Sequence, residues 1–534
     1  MNEIVSTIAY RRLRAPRADG EALLEPAIAD EVAFLQQNIA LREQNDCDLR
    51  GLPLGGLRTL ARQELLSRAK QYTQAYRDVV TDSPDPHAPV ILLGHQPELV
   101  HPGVWFKNFL LSELAHRTSS YAINLLIDND SVRNTTVRVP GGSVDDPVVS
   151  SIALDAIGPV VPYEVRAIHD ADLFDSFGKR AGRAIEPLVQ RPLLGRFWPR
   201  AIEAARRVGN LGQAVAQARH ELEGQWGLES LELPLSSMCD TPPFWWFAAV
   251  LLGDAARLRQ VHNGCVAEYR RVNRVRSHTH PVPDLAVAQR ATEVPFWLWT
   301  EDRPQRRPAF VERRGAQVLL SDQQGTTVTL DLGPDDDANR AVNQLAQARQ
   351  DGIRLRPRAL ITTMFARLVL SDIFIHGIGG AKYDQVTDAI IRRFFAVEPP
   401  EYVVATATLK LPVKRPSVEP QDVRRTKQRL RELRYHPELH VDATPETAPL
   451  IAEKRRWIES PPPAHRLHER HAAICRVNES LHAFLGSRHQ QLLDELAQLR
   501  LLMRKQAILG SREYPFCLFP SQTLREQLLD LSRQ

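Results

Sequence analysis

Residues 90–107 read V-I-L-L-G-H-Q-P-E-L-V-H-P-G-V-W-F-K, and this stretch decides how the rest of the chain is read. Val90, Ile91, Leu92 and Leu93 form a wholly apolar run that meets Gly94 and then polar, ring-bearing residues. Such a run is a buried strand that reaches the rim of a sheet and stops. Pro102 and Gly103 then open an amphipathic stretch over 104–116, with Trp105, Phe109 and Leu110 available as a core face. Strand, polar loop and helix start is the geometry in which open α/β sheets bind ligands, because loop side chains and free helix N–H groups converge there. The loop carries Gly94, His95, Gln96, Glu98 and His101, and Lys107 follows about one turn into the helix. An ordinary βα loop whose polar groups satisfy one another is the simpler alternative.

The chain has 534 residues, which suggests about three domains at ~150 residues each. It is 43% hydrophobic and 25% charged, the balance of a globular protein with a real core. Its 68 basic and 64 acidic residues leave a net charge of +4, which excludes the strong basic excess of a dedicated nucleic-acid binder. The five cysteines, Cys47, Cys239, Cys265, Cys475 and Cys517, are widely spread and form no CxxC, the usage of a reducing compartment. No apolar leader opens the sequence, and no window holds about 18 consecutive apolar residues. The expectation is a cytoplasmic protein with no membrane span.

Residues 20–80 read as helical throughout, over 30–44 and 57–80, split by G-L-P-L-G-G at 51–56 and ended by Ser83-Pro84-Asp85-Pro86. A second strand over 121–127 delivers Asp128, Asn129 and Asp130 to its C-terminal end, on the same rim as the first loop if the strands are neighbours. A plain Asx-stabilised turn is the alternative. Residues 133–139 alternate well enough for an edge strand, and 174–223 form an Arg- and Ala-rich helical insertion. Residues 231–239 read as a strand, followed by a helix to about residue 274 whose Phe244-Trp245-Trp246-Phe247 start belongs to the core more readily than to a pocket. His262, Cys265, His278 and His280 suggest zinc only superficially, because the paired CxxC and HxxxH spacing is lacking; no metal site is assigned. Short β-like runs over 293–331 suggest a small antiparallel meander, whose Arg303, Arg306, Arg307, Arg313 and Arg314 either face phosphate or, more simply, solvate its edge strands.

The α/β pattern then returns with R-L-R-P-R at 354–358, a helix over 359–370 and the strand D-I-F-I-H at 372–376. That strand runs into G-I-G-G-A-K-Y-D-Q-V-T-D, which repeats the arrangement of the first loop: strand end, glycine, helix start. Gly377, Gly379 and Gly380 let the backbone approach a ligand, Lys382 is set to reach an anion, and Tyr383, Asp384 and Asp388 add polar reach. The motif is neither GxGxxG nor a Walker A loop, so alone it identifies no nucleotide. A last strand over 402–408 leads to a basic exit at Lys410 and Lys414. From 416 onward the chain is charged and helical, over 421–435, 449–458 and 464–508. Ile474, Val477, Leu481, Phe484, Leu485, Leu492, Leu493, Leu496, Leu499 and Leu502 give the last stretch an apolar seam, either an antiparallel coiled coil that pairs two subunits or a helical layer on its own core. The tail from 511 packs back on the body, since Phe516, Leu518 and Phe519 would otherwise be exposed.

In this order of parts the chain resembles the cysteine ligase family of bacillithiol biosynthesis (BshC-like). Members of that family have a Rossmann-type core related to class I aminoacyl-tRNA synthetases, a connecting insertion and a C-terminal coiled coil used for dimerisation. The resemblance is carried by L-L-G-H-Q-P-E-L-V-H-P-G-V-W-F-K, D-N-D, P-V-P-D-L with P-F-W-L-W, and R-P-R-A-L with D-I-F-I-H-G-I-G-G-A-K-Y-D. It spans about residues 20–510, in short blocks. Gly94-His95-Gln96-Pro97 stands where the family shows Gly-Gln-Gln, Asp128-Asn129-Asp130 replaces a Glu-Asp-His-Asp-type run, and G-G-A-K-Y-D replaces a Gly-Gly-Pro-Gly-Glu-type loop.

The fold expected is α/β: a Rossmann-like parallel-sheet core with a small β/helical insertion and a C-terminal helical coiled-coil domain. Its parts are an N-terminal helical segment (1–84), the core with its helical insertion (85–292), the β insertion (293–335), the second part of the core (336–415) and the C-terminal helices (416–534). The resemblance implies ligation of cysteine to the amino group of a glucosaminyl-malate, with a carboxylate activated by nucleotide (ATP or ADP with Mg) and then attacked by an amine. In that scheme His95 and His101 stabilise charge on phosphate oxygens, Lys382 neutralises phosphate or carboxylate, and Asp128 or Asp130 holds the amine or acts as base. Gly94, Gln96, Lys107, Gly377, Gly379, Gly380, Tyr383 and Asp384 complete the expected substrate and nucleotide contacts. The expected partners are a small-molecule substrate and a second copy of the chain, with neither membrane nor nucleic acid. The rival reading is a scaffold without ligase activity whose coiled coil is an assembly surface.

Overall fold

The computed structural model describes residues 8–27, 30–79 and 85–534, so the Ser83-Pro84 break lies outside the described residues. The chain divides into two compact units. The first holds the residues up to Val139 together with Ser150–Lys410 and Arg512–Gln534; the second holds Pro140–Val149 and Leu411–Ser511.

The described strands are, in chain order, β1 (Glu21–Glu25), β2 (Val90–His95), β3 (Tyr121–Leu126), β4 (Thr136–Gly142), β5 (Pro147–Ala153), β6 (Leu231–Pro234), β7 (Val287–Ala288), β8 (Ala291–Thr300), β9 (Arg303–Arg314), β10 (Gln317–Ser321), β11 (Thr327–Asp331), β12 (Ile353–Pro357), β13 (Ile373–His376) and β14 (Tyr402–Thr408). The core sheet of the first unit has the order β1-β14-β13-β2-β3-β6. From β14 to β6 every neighbour runs parallel. Parallel strands are covered on both faces, which is why Val90 to Leu93 carry no polar residue and expose no surface at all.

Helix Pro102–Arg117 connects β2 to β3 and buries Trp105, Phe106, Phe109, Leu110 and Leu111. His101 caps it, its Nδ1 accepting the Gly103 N–H at 3.1 Å, and Pro102 supplies a first-turn residue that has no N–H to satisfy. The start of this helix presses on β14: a Cβ on Gly103 would lie 2.0 Å from the Ala407 carbonyl oxygen, so only glycine fits. Helix Ile378–Ile390 leads from β13 to β14.

The second sheet is antiparallel in the order β11-β10-β9-β8-β12, with β7 paired to β8. It confirms the meander and extends it. R-L-R-P-R pairs with β8, so this strand closes the second sheet instead of opening the return to the core.

Three other expectations change. The region 20–80 is not helical throughout, because E-A-L-L-E forms β1 on the edge of the core sheet, paired antiparallel with β14 far along the chain. The strand expected over 231–239 stops at Pro234, and a short helix, Leu235–Cys239, follows because Asp128 takes up the Ser236 N–H. The edge strand expected over 133–139 is β4, and it pairs only with β5 as a separate ribbon.

The second unit contains helices Pro420–Tyr435, Ala448–Glu459, Leu467–His482 and Arg488–Leu509. The chain reverses at Gly486, whose φ of +57° suits glycine. Leu433, Leu485 and Leu492 form a small core here, while Phe484, Leu493 and Leu501 of the expected region remain exposed. Among the described residues no helix is long and apolar enough to cross a membrane.

Candidate functional site

Adjacent parallel strands end at one rim, and the register places Leu93 beside Ile375 and His95 beside Leu126. The connection after β2 moves to one side, to β3, while the connection after β13 moves to the other, to β14. Between β2 and β13 the sheet therefore has a topological switch point, where loops diverge and leave a crevice. The loops after β2 and β3 are joined: Gln96 Nε2 donates to Asp130 Oδ2 at 3.2 Å. Asp130 is also held by the Ser131 N–H at 2.8 Å and by Arg306 at 2.9 Å.

The crevice holds a cavity of about 420 Å³ walled by Arg14, His101, Lys107, Gly377, Lys382 and Arg512. Lys107 is only 4% exposed, and burial pulls its ammonium down to about 8. Its Nζ donates to the Gly94 carbonyl at a long 3.4 Å, and among the described residues no carboxylate lies within ion-pair distance. A buried cation without a counter-ion bears its full desolvation cost, which an arriving anion offsets. Two helix N-termini open here. That of Ile378–Ile390 has no side-chain cap, so its first-turn N–H groups are available to a ligand. Glycine is required at 380, where a Cβ would come 2.6 Å from His376 Nδ1. Gly379 is open, with nothing within 4 Å of such a Cβ, and Lys382 is exposed at the mouth.

The remaining expected residues are placed as follows. His95 is buried, its Nδ1 2.9 Å from the Gln96 carbonyl oxygen and its Nε2 3.3 Å from Asn108 Oδ1, two acceptors of which a neutral ring can donate to one. Burial, with Arg219 and Lys107 nearby, holds its pKa well below the usual value. His101 is pulled down to about 4 by burial against the opposing charge of Glu513, with Arg512 and Lys107 adding to the drop. Both imidazoles are neutral at pH 7, so positive charge at the crevice comes from the lysines and arginines.

Asp128 is buried and accepts the Ser236 N–H at 2.9 Å as well as the Ser236 hydroxyl; burial and the neighbouring Glu164 push it up to about 7. Asn129 donates to the Pro357 carbonyl at 2.8 Å. Asp384 faces inward and is fully buried, bonded to His376 Nε2 at 2.8 Å, to the Thr363 hydroxyl at 2.7 Å and to Arg367. Despite burial, Arg367 and His376 hold its carboxyl well below the usual range, and it has no surface left for a ligand. Asp388 is the second carboxylate on Arg367, at 2.7 Å. Tyr383 is half-buried, its phenol raised to about 12 by burial and by the charges of Asp384 and Asp130.

A second cavity of about 590 Å³ lies on the other side of the first loop, with Glu98, Asp130, Thr135 and Tyr163 in its wall. The Tyr163 hydroxyl donates to the Glu98 carboxylate. Away from the rim, His262 bonds Asn263 at 2.9 Å and Cys265 lies beside Arg393 at 3.4 Å; among the described residues no group of three or more His, Cys, Asp or Glu side chains could hold a metal ion.

Sequence reasoning missed Arg14, His376 and Arg512, and it named Arg306 without its partner Asp130. The arginines arrive from distant segments with no local motif. His376 carried a readable signal, a histidine closing an apolar strand with an aspartate eight residues later on the following helix. No family model matches this chain, and no curated protein matches it.

Proposed function

We propose that this chain is a small-molecule ligase of the BshC type, joining an amino acid to an amine acceptor at the rim of a Rossmann-like core. The observation that carries the reading is Lys107, a buried ammonium with no counter-ion among the described residues, in the wall of an open crevice at a switch point. The strand order supports the Rossmann-like description, and the charge of the crevice favours a phosphate-bearing ligand over a neutral one. Lys107, Lys382 and the free N–H groups from Ile378 onward would hold the phosphates of a nucleotide, whose chemistry is activation of the carboxylate. No carboxylate lines this cavity among the described residues, so magnesium would enter as the counter-ion of the nucleotide. Asp130, in the wall of the neighbouring cavity, is accessible to hold an amine; Asp128, with its pKa near 7, suits a base but is buried.

The test is a thermal-shift screen against ATP, ADP, free amino acids and amino-sugar malates, with and without magnesium. Ligand at about 100 times its Kd stabilises by about 2.7 kcal/mol. A shift with nucleotide plus cysteine, lost in Lys107→Ala at an unchanged Tm, supports the ligase; silence across the panel overturns it.

One observation favours the second reading, an assembly module. Leu493, Ala497 and Leu501 are exposed at four-residue steps on helix Arg488–Leu509, an apolar stripe suited to pairing with a second copy in a coiled coil. Light scattering of the wild type and of Leu493→Glu/Leu501→Glu decides it: a dimer that the double variant splits supports pairing, and a monomeric wild type removes it.

A further inference from the structure

The crevice contains two cations that neither the strand ends nor the glycine turn supplies, the exposed Arg14 and the better-buried Arg512. Arg512 comes from the tail that follows the second unit, and its guanidinium is fixed before any ligand arrives. Its Nη2 donates to Thr406 Oγ1 at 3.0 Å, at the end of β14. The same nitrogen sits over the start of helix Pro102–Arg117, where a Cβ on Gly103 would lie 2.6 Å from it. Its Nε is buried and makes no hydrogen bond, with the Glu513 carboxylate at 3.5 Å.

We propose that Arg512 makes this cavity a phosphoryl or pyrophosphoryl site and is the residue that discriminates such ligands from carboxylates. The inference rests on the phosphate-binding reading of the crevice and goes further by assigning selectivity against carboxylates to Arg512. Four cationic side chains, Arg14, Lys107, Lys382 and Arg512, line one cavity, and among the described residues Lys107 has no carboxylate partner. A monocarboxylate brings one charge in a plane. A phosphoryl group brings about two charges and three terminal oxygens pointing in different directions, so it can take the Lys107 ammonium, the helix N–H groups and a guanidinium together. Arg512, pinned by Thr406 beside the start of helix Pro102–Arg117, adds a donor without reorganising. Its role is binding and selection.

The experiment is titration calorimetry of the full chain with pyrophosphate, inorganic phosphate and acetate at constant ionic strength. The wild type should bind pyrophosphate at least tenfold more tightly than acetate. Arg512→Gln should lower pyrophosphate affinity at least tenfold while leaving acetate unchanged, and Arg512→Lys should recover part of the loss. Thr406→Val, which releases the guanidinium and leaves its charge in place, should give an intermediate loss and serves as the test if Arg512→Gln fails to fold. Arg512→Gln or Thr406→Val binding pyrophosphate like the wild type, while Lys107→Met does not bind, would overturn the role of Arg512 and leave the ligand-binding reading intact. A wild type that binds acetate as tightly as pyrophosphate overturns the selectivity, and one that binds none of the three overturns both.

Discussion

Two arginine clusters and one lysine, all buried in the same unit, show opposite ways of keeping a charge inside a protein. Arg219 is 1% exposed and pairs with both Glu223 and Glu232. Those carboxylates are bonded in turn, Glu223 by Trp105 and Asn108, Glu232 by Asn124. Against burial, the two carboxylates hold the Arg219 pKa well above the usual value. Arg367 repeats the pattern with Asp384 and Asp388. Lys107, one residue from Asn108, has a single long carbonyl contact and an open crevice in front of it. A buried charge clamped between opposite charges belongs to the scaffold; one without an opposite charge beside open space is set aside for something that binds.

That contrast breaks first at Arg219. Arg219→Met should cost about 3–5 kcal/mol in urea unfolding, because two buried carboxylates lose their cation, and adding Glu223→Gln and Glu232→Gln should restore much of it. Lys107→Met should do the reverse: stability at pH 7 equal to or above the wild type, with phosphate affinity in calorimetry reduced by about 10- to 100-fold for the loss of a charged hydrogen bond. If Lys107→Met were as destabilising as Arg219→Met, the distinction would fail.

The pH dependence sharpens it. The Lys107 pKa is lowered from 10.5 to about 8, so between those values the unfolded chain binds the extra proton and stability should rise with pH. Over the same window the anion loses its cation and affinity should fall; both slopes should flatten in Lys107→Met. Asp128 runs the other way. Its pKa is raised from 3.8 to about 7, so the folded chain holds the extra proton in that window and its contribution to stability declines as pH rises through it. Asp128→Asn should remove that part of the slope, measured by urea midpoints at pH 5 and pH 8. The smallest effect is expected from Lys382→Ala, a fewfold loss of phosphate affinity with no change in Tm, because its side chain is solvent-exposed and screened.

The strand ends were legible because each is announced locally. Apolar runs that stop at Gly94, at Asp128 and at Gly377 mark one rim, and the Gln96–Asp130 bond joins two of those loops. Asp384 was legible as a polar residue near a turn, but its direction was not. It lies one helical turn past Gly380, on the face that carries the buried Ala381 and Thr387 three residues to either side, so the helix directs it inward to Arg367 and His376. The charge state of His95 and His101 was hidden for a related reason: a sequence shows an imidazole, whereas burial and neighbouring cations decide its proton. β1 was missed because five residues with two terminal glutamates carry little strand signal, and its partner is β14. Arg512 illustrates the limit of local reading, since its place depends wholly on where the tail returns.

The pairing of β1 with β14 also sets a timetable for synthesis. A chain emerging N-terminus first presents Glu21–Glu25 long before Tyr402–Thr408 exists, so the outer edge of the core sheet waits unpaired through most of translation. The helices of Leu411–Ser511 make local contacts and are expected to form quickly once released. Arg512 follows both in chain order. A nascent chain arrested just before that residue would carry a sheet able to close but a crevice short of one cation, so phosphate retention would separate completed chains from interrupted ones.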